Sequence, residues 1–247
     1  MTLYRSVGFV LLLSMAGCAA QTQQVATPTP PPPGDAPLPT SIQWMTTSAE
    51  YPALTVQTYR IATAHVEAMA RTRTAGAWAV VLDADDTVIN NFPYQMGLAR
   101  ERATHTAERF TAWVRTQAST PVPGAAAFLA RVRALGGRIA IVTNRLAIEC
   151  PDTAAVLRKH GLPFDTVVCR PEGAGSGSDK NPRFEAVAAG QTDASRTPIE
   201  VIAFVGDNIH DFPAGSQALR AQGETAYTQF GVRYFIMPNS MYGSWQE

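Results

Sequence analysis

The apolar run Trp78-Ala79-Val80-Val81-Leu82 leads straight into Asp83-Ala84-Asp85-Asp86-Thr87. A short apolar stretch bounded by polar residues reads as a buried strand. Asp83 and Asp85 are two positions apart, so alternation sends both side chains the same way, off the strand's carboxyl end. Open parallel α/β sheets bind their ligands at that end. Two carboxylates held together repel unless a cation or a shared proton intervenes. The pair therefore points to a hard metal ion and phosphoryl chemistry. The competing reading is a plain turn after a strand, where Asp is common.

The rest of the chain favours the first reading. A helical pattern runs from Ser48, a good N-cap, to about Arg73. Strands are expected at 77–83, 138–143, 165–169, 199–205 and 232–237. Helices are expected at about 124–135, 151–160, 182–189 and 213–222. Such alternation builds a parallel sheet with helices on its faces. A long insert at about 92–122, with a helix from about His105 to Ala118, follows the first strand and is placed to cap the crevice.

Three further strand ends carry polar groups: Thr143-Asn144, Lys180, and Gly206-Asp207-Asn208 with Asp211 close behind. Their chemistry fits together. A carboxylate can attack phosphorus, and a second carboxyl can protonate the leaving alkoxide and then take a proton from water. Mg2+ takes oxygen ligands and keeps several waters, and Asp207 and Asp211 could complete such a site. The Thr143 hydroxyl and a lysine ammonium would hold phosphoryl oxygens. Lys159, at a helix end, is the rival for the lysine role.

The chain start reads as a targeting segment. Arg5 precedes an apolar stretch from Val7 to Ala16 that is too short to span a bilayer. Ser14-Met15-Ala16-Gly17-Cys18 resembles a bacterial lipobox closing a signal segment over residues 1–18, which would make Cys18 the lipidated N-terminus once the residues before it are removed. The alternative is an ordinary signal cleaved near Ala19. Residues 19–42 are rich in Pro, Thr and Gln and read as an extended tether reaching at most ~70 Å. The folded domain is expected over 43–247. Lys plus Arg and Asp plus Glu balance at 20 each, which gives no argument for a nucleic-acid partner. Cys150 and Cys169 remain as an even pair that bridges or stays as buried thiols.

The strand-end motifs together resemble those of the haloacid dehalogenase (HAD) superfamily. More narrowly, they are similar to class C acid phosphatases, the group of the outer-membrane lipoprotein e 5'-nucleotidases. The similarity extends to Trp44 with Ser48-Ala49-Glu50-Tyr51, to Asn91 with Pro93-Tyr94-Gln95, and to Pro238-Asn239-Ser240-Met241-Tyr242-Gly243-Ser244-Trp245. The resemblance implies a HAD-like parallel sheet sandwiched by helices, with a small, mainly helical cap. It implies Asp83 as nucleophile and Mg2+ ligand, and Asp85 as general acid/base that also binds Mg2+ through its carbonyl. Thr143 and Asn144 would bind the phosphoryl group, Lys180 would neutralise the intermediate, and Asp207 and Asp211 would support the metal. Tyr51, Tyr94, Tyr242 and Trp245 are candidates for holding a nucleobase. Asn90 and Phe92 depart from the group's usual residues where the cap begins.

The implied function is hydrolysis of nucleoside 5'-monophosphates, with nicotinamide mononucleotide as a further candidate, by a periplasm-facing outer-membrane lipoprotein. A homodimer is left open. Three other classes compete: a receiver domain, against which the export signal argues; a ligand-binding lipoprotein, for instance for haem; and a structural lipoprotein with a dead site.

Overall fold

The computed structural model describes residues 37–173, 179–192 and 196–246. The expected signal, Cys18, most of the tether and most of the Gly/Ser run before Lys180 lie outside the described residues. No helix among the described residues is long and apolar enough to cross a membrane.

Helix α1 (Thr40–Thr47) starts inside the stretch read as tether, so the boundary expected at 43 falls within a helix. The Pro-rich composition stops at Pro39, and Ile42 and Met45 then bury on one side of a short helix. Helix α2 (Glu50–Ala70) buries Tyr51, Thr55, Tyr59, Ala62 and Val66, a single stripe at helical spacing. The Ser48 hydroxyl accepts from the Tyr51 N–H at 3.2 Å, the capping role its sequence position suggests.

Strand β1 (Trp78–Leu82) is buried throughout. The insert after it is built on a two-stranded antiparallel ribbon, β2 (Ile89–Asn90) with β3 (Thr120–Pro121). Between them lie α3 (Phe92–Glu101) and α4 (Ala107–Arg115). The Asn90 amide donates to the Thr120 carbonyl and hydroxyl at 3.1 and 2.7 Å, lacing the two ends of the cap together. Then follow α5 (Ala125–Ala134), β4 (Arg138–Leu146), α6 (Cys150–Lys159), β5 (Thr166–Arg170), α7 (Asn181–Ala188), β6 (Glu200–Gly206) and β7 (Tyr234–Ile236). The helix expected at 213–222 is instead a 3-10 turn, Gln217–Gln222, with no buried residue on it. Without an apolar face to pack, an α-helix there has nothing to sustain it.

The five long strands form one parallel sheet in the order β5-β4-β1-β6-β7. Chain order runs outward from β1 through β4 to β5 on one side and through β6 to β7 on the other. The reversal lies between β1 and β6, where such sheets open a crevice at their carboxyl ends. Alternation sends Val80 and Leu82 to one face, with Tyr59, Phe128, Leu129, Val156 and Leu157 of α2, α5 and α6. Val81 goes to the other face, with Phe184 and Val187 of α7 and with Phe204 and Phe212.

Cys150 and Cys169 form a disulfide, settling what parity left open and tying the start of α6 to β5. The cap docks on the same region: Thr111 donates to Glu149 at 2.5 Å, Gln117 to Asp152 at 2.8 Å, and Lys159 to the Gln117 carbonyl at 2.9 Å.

Candidate active site

Asp83 extends β1 by one bond, its N–H donating to the Val205 carbonyl at 3.0 Å. The chain then turns sharply, with Val88 and Ile89 both donating to the Ala84 carbonyl at 3.0 Å. The turn needs a left-handed residue, and Asp86 adopts φ 52°, a conformation that Asp tolerates better than most side chains.

Beside this turn, carboxylate oxygens of Asp83, Asp207 and Asp211 lie within 4.8 Å of one another. Lys180 sits among them, 2% exposed, with Nζ 2.5 Å from Asp83 Oδ1 and 2.6 Å from Asp211 Oδ1. Lys159 is committed to the cap, so the lysine that meets Asp83 is Lys180. Asp207 accepts from Asn239 Nδ2 at 2.7 Å and from the Thr87 hydroxyl at 3.3 Å. Asp211 also accepts from the Asn208 N–H at 2.9 Å, which closes the Gly206-Asp207-Asn208 turn. Gly206 is required by that turn, because a Cβ there would overlap the Asp211 carboxyl.

Electrostatics mark the cluster. Burial pushes the Asp83 carboxyl up to about 7; Lys180 opposes the rise, while Asp211 and Asp85 add to it. Burial and then the charges of Asp211 and Asp83 raise Asp207 well above the carboxylate range. Burial alone would lower the Lys180 ammonium, but Asp211 and Asp83 outweigh it and keep it protonated. Three clustered carboxylates, when ionised, exceed by two charges the single ammonium that contacts Asp83 and Asp211. That donor set fits a hard divalent cation, which would relieve both the repulsion and the raised carboxyls.

The second strand contributes through an irregularity. The β4–β5 register shifts between Val142 and Leu146, which releases Thr143, Asn144 and Arg145 from the ladder. Thr143 is fully buried, and its hydroxyl accepts from the Arg145 N–H at 3.2 Å. Arg183 holds this segment from α7, donating to the Thr143 carbonyl and to Asn144 Oδ1. Arg145 turns to Asp85, with Nη2 2.7 Å and Nε 3.0 Å from Oδ1. Burial would raise the Asp85 carboxyl, but the Arg145 charge and hydrogen bonds, with help from Asn91 and Lys180, hold it below the usual range.

The sequence matches the family described as HAD superfamily, subfamily IIIB (Acid phosphatase), over residues 8–245. This chain belongs to that acid phosphatase family. The fold agrees with solved relatives. The class C acid phosphatase from Bacillus anthracis is 26% identical with a TM-score of 0.71, covering 84% of this chain and 85% of that one. The same Bacillus anthracis enzyme solved with tungstate bound is 25% identical with a TM-score of 0.72, over the same shares of each chain. The chain is therefore a phosphoric monoester hydrolase, its substrates are small phosphomonoesters, and the parallel sheet with its cap is HAD-like.

The four aromatic candidates of this acid phosphatase are placed very differently. The Tyr51 ring is buried edge-on between Trp44 and Phe92, at centroid distances of 6.2 and 5.2 Å. Its hydroxyl is buried and meets no hydrogen-bond partner. Tyr94 is buried in the cap against Phe110 and Trp113, its hydroxyl 3.0 Å from His105 Nδ1. Neither ring presents an open stacking face. Tyr242 donates its hydroxyl to Asp86 Oδ2. Trp245 alone is open, at 52% exposure. It lines a cavity of about 260 Å3 together with Asp207, Asn208, Arg220, Tyr227 and Asn239.

Several residues of the phosphatase site had no role assigned from sequence: Arg145, Arg183, Asn91, Asn239 and Thr87. Arg183 lies three positions after Lys180, so both face the same side of the α7 entry, a spacing that could have flagged it.

Proposed function

We propose that this phosphatase hydrolyses nucleoside 5'-monophosphates with Mg2+, through an aspartyl-phosphate on Asp83. The observation that carries the reading is the Asp83–Lys180 contact at 2.5 Å inside the Asp83, Asp207, Asp211 cluster. One Asp83 oxygen is neutralised by Lys180, which leaves the carboxylate ionised enough to attack. Asp83 bonds to phosphorus as the ester oxygen departs, and Asp85 gives that oxygen a proton. Water then attacks phosphorus, Asp85 takes its proton, and inorganic phosphate and free Asp83 result. Thr143, held by Arg183, and Lys180 are the groups to hold the phosphoryl oxygens. Mg2+, held by Asp83, Asp207, Asp211 and the Asp85 carbonyl, supplies neutralisation of the phosphoryl charge. A relative solved with tungstate, a tetrahedral oxyanion like phosphate, accords with this.

The nucleotide preference is supported by the cavity beside Asp207, where Trp245 and Tyr227 offer ring faces to a base or to the pyridine of nicotinamide mononucleotide. The lipobox-like sequence before Cys18 supports a lipid anchor on a bacterial membrane, with the domain facing the periplasm. Cys18→Ser should then release the protein from the membrane fraction.

The test is turnover of a nucleotide panel against plain alkyl phosphates, with and without Mg2+. Asp83→Asn should lower kcat by roughly a thousandfold or more. Retention of most activity would refute the nucleophile assignment, and full activity in excess chelator would refute the metal site.

A further inference from the structure

We propose that Asn91 is a positioning residue for Asp85 and couples the aim of that carboxylate to the seating of the cap. The inference rests on the reading of Asp85 as proton donor given above.

Asn91 sits between β2 and α3 and is 1% exposed. Its Nδ2 donates to Asp85 Oδ1 at 2.6 Å. Its Oδ1 accepts from Trp113 Nε1 at 3.1 Å, from the Ser119 hydroxyl at 2.9 Å and from Arg145 Nη2 at 3.4 Å. An indole N–H and a guanidinium can only donate, so the amide carbonyl must face them. The NH2 group then has to face Asp85, and the orientation of the amide follows from chemistry alone.

Two of those donors belong to the cap: Trp113 is on α4 and Ser119 is at the foot of β3. A second line runs in parallel, because the Arg145 guanidinium that grips Asp85 lies 5.7 Å from the centroid of Phe110, also on α4. With α4 seated, the amide is held from three sides and its NH2 fixes one Asp85 oxygen. With α4 displaced, the amide loses the indole that stops it rotating, and Asp85 loses its aim. The device makes proton delivery depend on a closed cap, which is where a substrate would be enclosed.

A positioning role for a proton donor has a signature that a structural role lacks. A p-nitrophenolate leaves without a proton, whereas an alkoxide needs one. The full chain with its divalent metal is assayed on p-nitrophenyl phosphate and on an alkyl monophosphate, with melting curves to confirm folding. Asn91→Ala should keep kcat/KM on the aryl ester within roughly threefold and lower it on the alkyl ester roughly thirtyfold, because general acids contribute about 10^2–10^4 and kcat/KM reports departure of the leaving group, before the aspartyl-phosphate common to both esters is hydrolysed. Trp113→Phe keeps an aromatic ring and removes only the N–H; it should shift the two substrates in the same sense, by roughly fivefold. Asp85→Asn should show the same selectivity in kcat/KM in stronger form, while its kcat falls on both esters because the water that hydrolyses the aspartyl-phosphate loses its base. Equal losses of kcat/KM on both esters for Asn91→Ala, or no loss on either, would overturn the role of Asn91 while a selective Asp85→Asn leaves the proton donor standing. An Asp85→Asn variant unselective in kcat/KM would overturn the donor assignment and the Asn91 proposal with it.

Discussion

Asp86→Asn should stabilise this protein, and by more at pH 8 than at pH 5. Asp86 is fully buried, and burial pushes its carboxyl up to about 7 despite hydrogen bonds from Tyr242 and from the Asn91 N–H. In the unfolded chain the same group ionises near its ordinary value of about 3.9. Between those two values the folded state keeps a proton that the unfolded state has released, so stability falls as pH rises through the window. Integrated, the loss is roughly 1–2 kcal/mol at pH 5 and roughly 4 kcal/mol at pH 8. Asparagine never ionises and should remove it. It also keeps the geometry: its carbonyl can accept from the Asn91 N–H, now 3.1 Å from Asp86 Oδ1, and its NH2 can donate to the Tyr242 hydroxyl. It tolerates the φ of 52° at this position as well as Asp does. Urea denaturation of both proteins in chelator, at pH 5 and pH 8, measures the difference, and the comparison cancels the shared titrating groups that the Asp86 charge does not shift; removing that charge also relieves the raised carboxyl of Asp207, which acts in the same sense. The gain should grow by roughly 2–3 kcal/mol across that interval. A gain that is flat with pH, or a variant weaker than the parent at pH 8, would refute the reasoning.

Arg145→Gln removes what holds the Asp85 carboxyl down, so burial should then raise it. Activity that needs protonated Asp85 is lost as pH rises through that value, so the alkaline limb of kcat/KM should move up by roughly a unit or more; a pH–rate profile with an unmoved limb would count against Asp85 as the titrating acid. The same ion pair stabilises the fold above the ordinary aspartate range and is lost as pH falls, so the stability cost of Arg145→Gln should shrink toward pH 4. Reducing the Cys150–Cys169 bridge, or replacing both residues with Ser, should cost about 3 kcal/mol, given a separation of 19 residues in the chain. Calorimetry with and without reductant reads this directly, and an unchanged melting temperature would mean the bridge constrains nothing.

Strand ends were the legible part of the sequence. Each apolar run followed by a polar cluster mapped to a strand of the sheet, and Asp83, Lys180, Asp207 and Asp211 converge because the topology brings those ends together at the β1/β6 reversal. Less local features were not legible. Arg145 and Asp85 are 60 positions apart, and nothing in Val142-Thr143-Asn144-Arg145 says which way the arginine turns once β4 leaves its ladder. Asn91 stands in a quoted motif, yet its task depends on an indole and a hydroxyl delivered by the cap. Aromatic identity did not reveal burial: Tyr51 and Tyr94 went to packing, while Trp245 stayed open. Helix α1 was hidden because proline content dominated its neighbourhood, and the segment at 213–222 mimicked a helix without an apolar stripe.

The hydrogen bonds around the site also set an order of assembly. Ser240 donates its hydroxyl to the Ser41 carbonyl, 199 positions away, and its N–H points to Met45 Sδ across 195. Its neighbour Asn239 holds Asp207, and Tyr242 reaches back 156 positions to Asp86. Contacts this distant in sequence close late, because loop-closure entropy has to be overcome before they contribute. A folding chain whose segment after β7 is still loose can lay down the sheet from β1 to β7. It cannot yet fasten its first helix or hold Asp207 and Asp86 through their distal partners. The hydrolase therefore becomes competent late in its folding, when the segment after β7 is clasped to α1.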